Sequence, residues 1–436
     1  FIILLLDPVA ITNPGFWLSF TAVIAIYLAL REPSVSSKVR QLVSLQWSVT
    51  LLLLPFSLLW FQEFSLISPL VNLVLVPLFS LFFVPVALLL TVLGLSFHPA
   101  VFFLTQEYLE ILQAGLNALQ QVTQFSWVVY RTSTFAHWQF LLLIFFALGW
   151  HFPGKKMIRL AGLLLIAVTL LIPKREDSRE NFRMTLLDVG QGLSVFIEQG
   201  ENNLLYDLGP RYGNSGSATQ SIVVPFLQSR GVVQIDQLII SHSDSDHSGD
   251  MDALLSEIQV DEILAGEIDA NLKNMEACTP ETGWRWESTL FQILSPDASL
   301  SKTGNNASCV IKITLPQASI LLTGDIEETI EKRLLTTKPG LLASDIIVIA
   351  HHGSRTSSSQ FFVDAVNPRI VLNSSGYLNR YHFPDAGVKQ RWLEKGEVFL
   401  DTAMQGAVES ELDINGKLVS LSPFRREHQK YCYWNR

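Results

Sequence analysis

The run Ser241-His242-Ser243-Asp244-Ser245-Asp246-His247-Ser248-Gly249-Asp250 sets two imidazoles and two carboxylates within six residues. It follows directly on an apolar stretch, Ile235–Ile240, with the look of a buried strand. Such groups cannot all leave water unless a cation compensates them. Neutral imidazole nitrogen with hard carboxylate oxygen suits zinc, manganese or iron. A solvated acidic loop would explain the charges but not their position straight after an apolar strand. Two further strand ends supply similar chemistry. Ile320-Leu321-Leu322-Thr323-Gly324-Asp325 is apolar until Gly-Asp, and Ile346-Ile347-Val348-Ile349-Ala350 runs into His351-His352-Gly353-Ser354. Asp325 alone reads equally well as a helix N-cap ahead of Ile326-Glu327-Glu328. Yet four of the six histidines after residue 184 fall in these two His-bearing motifs, which argues against coincidence. Asp207, closing Tyr206-Asp207-Leu208-Gly209, either holds a metal-binding histidine in its tautomer or makes a turn.

Strand ends must position these groups. Short β-type runs recur at 184–188, 193–198, 203–207, 235–240, 309–314, 318–323, 345–350 and 369–373. Helical stretches lie between them at 219–230, 250–257, 327–335 and 385–395. Strand pairs mixed with helices predict two sheets with helices packed outside, an αββα sandwich, and not a doubly wound sheet.

The rest of the chain has a different composition. Up to Arg183 there are 11 Lys/Arg and 8 Asp/Glu; beyond it, 20 and 32, so the overall charge of −9 hides an acidic second half near −12. The first half predicts membrane spans, because lipid requires about 20 apolar residues per helix. Residues 14–30 and 42–61 qualify. Residues 66–97 are too long for one ordinary span and carry Pro69, Pro77 and Pro85, which suggests a hairpin of two broken segments. Residues 100–122, with Gln106, Glu107, Glu110 and Gln113, read as an interfacial helix, and shorter spans follow at 138–152 and 157–172. If 66–97 crosses twice, the basic loops around Arg31–Arg40 and Lys155–Arg159 share the cytoplasmic side, and the last span delivers the acidic domain outside. Asp7 reads as a helix end in the headgroups; Asn72 makes an interhelical bond or lines a pore. Cys278, Cys309 and Cys432 have unrelated spacings and suggest neither a disulfide framework nor a thiolate zinc site. The chain opens inside an apolar run at Phe1 and reads as a fragment without its natural N-terminus.

The order Asp207; His242-x-Asp244-x-Asp246-His247; Asp325; His351-His352 resembles the metallo-β-lactamase fold. Leu187-Asp188-Val189-Gly190-Gln191-Gly192, Asn305-Asn306-x-Ser308, Leu322-Thr323-Gly324-Asp325 and His352-Gly353-Ser354 are similar to the C-terminal domain of ComEC-type DNA-uptake proteins. Asp7-Pro8, Gly15-Phe16-Trp17-Leu18-Ser19-Phe20 and Asn72…Pro77-Leu78 resemble their competence domain. The resemblance implies a membrane domain over 1–173, a linker over 174–183, a hydrolase domain over 184–424 and a basic tail over 425–436. It implies two divalent ions, manganese or zinc. His242 and Asp244 would hold one, Asp246 and His247 the other, Asp325 would bridge them, and His351 or His352 would complete the second site. Asp244 stands where many members have His, and Asn306-Ala307-Ser308 where a further His is usual, so the first site is expected to be loose and to favour manganese. Asp207, Asn306, Ser308 and Ser354 would contact substrate or the ligands, with Asn306 and Ser308 reading equally well as caps of a turn. His382, in Arg380-Tyr381-His382-Phe383-Pro384, would protonate the leaving oxygen or hold phosphate, or is an ordinary loop histidine. Arg355 and Arg380 read as phosphate contacts or as solvated surface cations.

The function implied is DNA uptake at a bacterial inner membrane: a channel for single-stranded DNA beside an extracytoplasmic nuclease that hydrolyses phosphodiesters with hydroxide, through Asp246 and the two ions. Expected partners are DNA, membrane lipids and other uptake machinery. The alternatives are a membrane-anchored hydrolase of another phosphoester, and a DNA channel whose second domain is inactive. Net acidity argues against general DNA affinity through counterion release, so the family resemblance carries the DNA assignment.

Overall fold

A computed structural model describes residues 7–30, 38–61, 63–95, 99–123, 129–131, 137–150, 180–213, 216–268, 275–280, 282–296 and 303–427, together with 4, 5, 160 and 162. Nearly all of the expected span at 157–172, the loop at 31–37 and that around Lys155–Arg159, most of the linker and the end of the basic tail lie outside the described residues. The chain divides into two compact units, Phe1–Arg175 and Glu176–Arg436.

The first unit contains α1 (Pro14–Leu30), α2 (Lys38–Phe61), α3 (Ser68–Gly94), α4 (Pro99–Thr123) and α5 (His137–Gly149). A short antiparallel ribbon joins β1 (Glu63–Ser65) to β2 (Val129–Arg131). Ala25 of α1, Leu51 and Leu52 of α2, and Phe146 and Ala147 of α5 share one buried cluster. Among the described residues, two helices are long and apolar enough to cross a membrane: Gln41–Phe61 and Ser68–Gly94. The expected hairpin over 66–97 is instead one continuous helix. A π turn at Phe79–Phe83, closed by the Val84 N–H on the Phe79 carbonyl, carries the chain past Pro85 without a break. Its 27 residues would span about 40 Å, enough for one crossing. The double crossing that put both basic loops on one side therefore has no support from this helix. Asn72 bonds within its own helix, donating to Ser68 Oγ at 3.1 Å, with no bond across to a neighbouring helix among the described residues.

The second unit is a four-layer αββα sandwich. One sheet has eight strands in the order β17-β16-β3-β4-β5-β6-β7-β8. In chain order these are β3 (Phe182–Leu186), β4 (Val195–Gln199), β5 (Asn202–Tyr206), β6 (Gln234–Ile240), β7 (Gln259–Ala265), β8 (Met275–Ala277), β16 (Val408–Leu412) and β17 (Leu418–Pro423). The other sheet has seven, in the order β15-β14-β13-β12-β11-β10-β9. These are β9 (Gly283–Trp286), β10 (Thr289–Ser295), β11 (Val310–Thr314), β12 (Ser319–Leu322), β13 (Ile346–Val348), β14 (Ile370–Asn373) and β15 (Val398–Asp401).

Period-two alternation decides which side chains go where. Ile320 and Leu322 of β12 join Met184, Val195 and Tyr206 in the core between the sheets. Leu321, one residue out of phase, packs outward against Ile330 and Leu334 of α8 (Glu328–Thr337) and Phe362 of α9 (Gln360–Val366). On the opposite outer face, Leu205 and Leu238 meet Leu227 of α6 (Val224–Arg230) and Leu254 of α7 (Met251–Glu257). Strands buried on both faces read as continuous apolar runs, and β13 with its three buried residues is one.

The cysteine reading is corrected. Cys278, just past β8, and Cys309, just before β11, form a disulfide that joins the two sheets. Both residues are buried in the inter-sheet core. Spacing along the chain held no sign of this pairing, because the contact is made by the folding of one sheet onto the other. Closing a 31-residue separation stabilises the unit by about 3.7 kcal/mol in the chain-entropy account. Replacing both cysteines by alanine is expected to cost roughly a hundredfold in hydrogen-exchange protection at β6 and β11 of the full chain. Unchanged protection would show that the crosslink contributes nothing.

Candidate metal centre

Parallel pairing brings several strand ends to one place. β5 and β6 run parallel with Tyr206 opposite Ile239, and β12, β13 and β14 run parallel with Leu322, Val348 and Leu372 aligned. The loops leaving their C-terminal ends therefore open on the same rim, as in other parallel sheets. Asp207 follows β5, His242 to His247 follow β6, Asp325 follows β12, and His351 and His352 follow β13. Asp207, His351 and His352 all have positive φ (61°, 53° and 54°), a costly backbone for residues with side chains. Gly324 turns the chain into Asp325 at φ 53°, and a Cβ there would lie 2.8 Å from that of Ser308.

The tautomers of three buried histidines can be worked out from their partners. His247 Nδ1 lies 2.8 Å from Asp207 Oδ2, an acceptor, so Nδ1 donates. His352 Nδ1 lies 2.9 Å from the Ser374 carbonyl, which also only accepts. His242 Nδ1 has Ser241 Oγ at 3.0 Å and Ser308 Oγ at 3.4 Å. Both hydroxyls give their hydrogens elsewhere, Ser241 to Asp207 Oδ2 at 2.7 Å and Ser308 to the Asn305 carbonyl at 2.7 Å. His242 Nδ1 is therefore the donor. In each neutral ring the lone pair is left on Nε2. Asp207, wholly buried, thus orients His247 directly and His242 through Ser241, and also accepts the Ser241 N–H at 2.6 Å.

The Nε2 atoms converge. His247 Nε2 and His352 Nε2 are 3.2 Å apart, a separation at which two lone pairs repel unless something positive lies by them. Asp325 Oδ1 lies 3.1 Å from His247 Nε2, and Asp325 Oδ2 lies 3.6 Å from His352 Nε2. Asp246 Oδ2 lies 3.4 Å from His352 Nε2. His242 Nε2 is buried with no hydrogen-bond partner. Two groups have ligand atoms close enough for an ion: His242 with His247 and Asp325, and Asp246 with His247 and His352. Convergent nitrogen lone pairs, two carboxylates and a buried orphan nitrogen fit a divalent cation, and the donor set suits zinc or manganese.

The electrostatics agree. Burial opposes charge on His247, but Asp325 and Asp207 outweigh it and hold the imidazole well above its ordinary range. Burial likewise opposes charge on His352, and Asp325 and Asp246 raise it. His242 goes the other way, lowered by burial and then by His247. Burial would raise the Asp325 carboxyl, yet His247 and His352 hold it far below the usual range. This pocket stabilises positive charge.

The remaining expected residues sit as follows. Asp244 has a half-exposed side chain with Oδ2 3.5 Å from His242 Nε2, outside both groups. His351 Nε2 is 3.9 Å from Asp325 Oδ2, farther than His352, and its Nδ1 faces Thr356 Oγ1 at 3.1 Å. Asn306 exchanges hydrogen bonds with Glu327, donating from Nδ2 to Oε2 and accepting from the backbone N–H, both at 3.1 Å, so it secures the start of α8. Ser308 accepts the Asp325 N–H at 3.0 Å, fixing the turn that carries that carboxylate. Ser354 accepts the Thr356 N–H at 3.4 Å in a turn. His382 is exposed and makes no side-chain hydrogen bond or ion pair among the described residues; the structure does not bring it into the cluster. Its neighbour Phe383 does reach the rim, with ring centroids 6.0 Å from His351. Sequence reasoning missed Ser241, Ser374 and Tyr206, whose buried hydroxyl donates to the Cys309 carbonyl at 2.7 Å. Only the adjacency of Ser241 to His242 could have signalled any of them.

A two-sheet α/β sandwich with this His/Asp cluster on its parallel-strand rim defines a metallo-β-lactamase-type domain. Residues 187–372 match the Metallo-beta-lactamase superfamily, and residues 1–154 match the family described as Competence protein. Competence protein ComA of Neisseria gonorrhoeae is 32% identical over 420 residues, covering 95% of this chain and 58% of that protein. The uncharacterized protein YcaI of Escherichia coli K12 is 31% identical over 434 residues, covering 96% and 56%. ComE operon protein 3 of Bacillus subtilis is 26% identical over 445 residues, covering 94% and 56%. The chain spans little more than half the length of these relatives. It carries a competence-family segment followed by a metallo-β-lactamase-superfamily segment, and relatives of the ComA/ComEC type match it over nearly its whole length.

Asp207→Asn offers an N–H toward His247 Nδ1 and would turn its proton to Nε2. Manganese affinity of the full chain is expected to fall about 10- to 100-fold, read by equilibrium dialysis. Because ion and proton compete for Nε2, affinity of the parent should also fall as pH is lowered. Equal affinity of parent and variant would remove Asp207 from the centre.

Proposed function

We propose that this chain takes part in DNA uptake: the second unit hydrolyses phosphodiesters of DNA, and the first contributes to a membrane passage for the surviving single strand. The observation that carries the hydrolytic part is the convergence of three Nε2 lone pairs with Asp246 and Asp325. Two bound divalent ions, manganese or zinc, would acidify water and neutralise charge building at phosphorus. His242 and Asp325 would hold one, and Asp246, His247 and His352 the other, with Asp325 within reach of both. Asp207 keeps the imidazoles in the tautomer that presents nitrogen, and Ser308 holds Asp325 in place. The half-exposed side chain of Asp244 supports a looser first position and hence manganese.

The disulfide Cys278–Cys309 supports an extracytoplasmic placement, since such bonds persist in oxidising compartments. The membrane reading draws on the two long apolar helices and on the competence-family match.

The test is manganese-dependent cleavage of DNA by the full chain in detergent, against Asp246→Ala. The variant should lose at least about a hundredfold in rate. Equal cleavage by both would end the nuclease reading; cleavage of other phosphoesters with none of DNA would redirect it.

A further inference from the structure

The loop between β14 and α10 (Ala386–Leu393) leaves the same rim as the metal-ligand cluster and carries residues that the hydrolytic chemistry does not use. Its inner end is tied down. Ser374 donates to the Gly192 carbonyl at 2.6 Å while its own carbonyl holds His352, and Asn379 Nδ2 donates to the Phe383 carbonyl at 2.7 Å. Its outer part is apolar and exposed. Tyr377 is 66% and Tyr381 49% accessible.

The rings are ordered. From the cluster outward, His351 meets Phe383, and Phe383 stacks on Tyr381 with centroids 5.4 Å apart and planes 21° apart. The Arg380 guanidinium lies over the outer part of this column, 4.7 Å from the Tyr381 centroid. Tyr377 has no ring partner among the described residues and is two-thirds exposed, which leaves ring surface for a flat ligand. Arg355 adds a second cation beside the loop, with its side chain 84% exposed and Nε 3.6 Å from Asp385.

A soluble domain does not ordinarily leave tyrosines open beside a catalytic rim. Open aromatic faces interleaved with guanidinium groups are how proteins hold unpaired nucleobases, the rings stacking on bases and the cations meeting the phosphates between them. In a duplex the base faces are covered by their neighbours, so such a surface favours a single strand. We propose that this loop is a grip for single-stranded nucleic acid: a base stacks on Tyr377, another on the Arg380 guanidinium that caps the column of Tyr381 and Phe383, and the phosphate between them is presented to the His/Asp cluster. This rests on the phosphodiesterase reading of that cluster and names its substrate form.

The test is equilibrium binding of a short single-stranded deoxyoligonucleotide bearing 2-aminopurine to the full chain in detergent, with calcium present. Stacking should quench the 2-aminopurine emission. Tyr377→Ala and the pair Tyr377→Ala/Tyr381→Ala should each weaken binding by about fivefold or more, and the pair by up to about a hundredfold. Tyr377→Phe/Tyr381→Phe should stay within about twofold of the parent, and a matched duplex should quench little. Absence of quenching in the parent, or equal affinity in the alanine variants, overturns the grip. So does tighter association of the parent with anionic vesicles that is lost in the alanine variants while strand binding is unchanged. Because the readout is binding, a parent that quenches but never cleaves refutes hydrolysis and leaves the grip standing. One that cleaves without quenching refutes the grip alone.

Discussion

Three imidazole rings in the second unit are locked by their Nδ1 hydrogens so that their other nitrogens point into one small buried space with two carboxylates. That arrangement is the constraint on which the rest of the domain turns. Lone pairs 3.2 Å apart in a medium without water repel, and the repulsion is relieved by positive charge between or beside them. Asp325, with Asp207 and Asp246, holds His247 and His352 above their ordinary range against their burial, so this space favours positive charge, and a divalent cation would supply it more fully.

Much of the surrounding structure keeps these rings from turning. Asp207, Ser241 and Ser374 fix them by hydrogen bonds, and Ser308 fixes the carboxylate turn. The backbone accepts left-handed conformations at Asp207, His351 and His352 that only a well-packed frame maintains. The frame is the inter-sheet core, whose branched side chains interlock from both sheets, with the Cys278–Cys309 crosslink set just behind Ser308. Layer packing, backbone strain and ligand orientation are thus one problem solved together.

How much of this could be read in the sequence depended on the range of the interactions. The αββα class, the strands ending at Tyr206, Ile240, Leu322 and Val348, and the residues gathered at their ends all carry local signals: apolar runs broken by a charged or glycine turn. Several strands escaped notice, among them β7, β10, β15 and the pair β16–β17. Val408-Glu409-Ser410-Glu411-Leu412 shows why: its polar positions alternate with apolar ones, so it looks mixed until the pleat sorts them. The disulfide and the tautomer-setting serines depend on contacts between distant segments, and no spacing rule reports those. The same limit misled the reading of 66–97. Three prolines looked like breaks, but Pro69 stands in the first turn, Pro77 is accommodated inside the helix, and the π turn carries the chain past Pro85. His382 was chosen for its type and its place after a strand, whereas the side chain that faces the rim there is Phe383.

The most direct measurement is anomalous X-ray diffraction at the manganese edge from crystals of the full chain grown with manganese. Scattering peaks within coordinating distance of Nε2 of His247 and His352, the Asp325 carboxylate and Nε2 of His242 are the expected result. Crystals in which the ion binds elsewhere, or in which those three rings keep their places with water alone between them, would contradict the account.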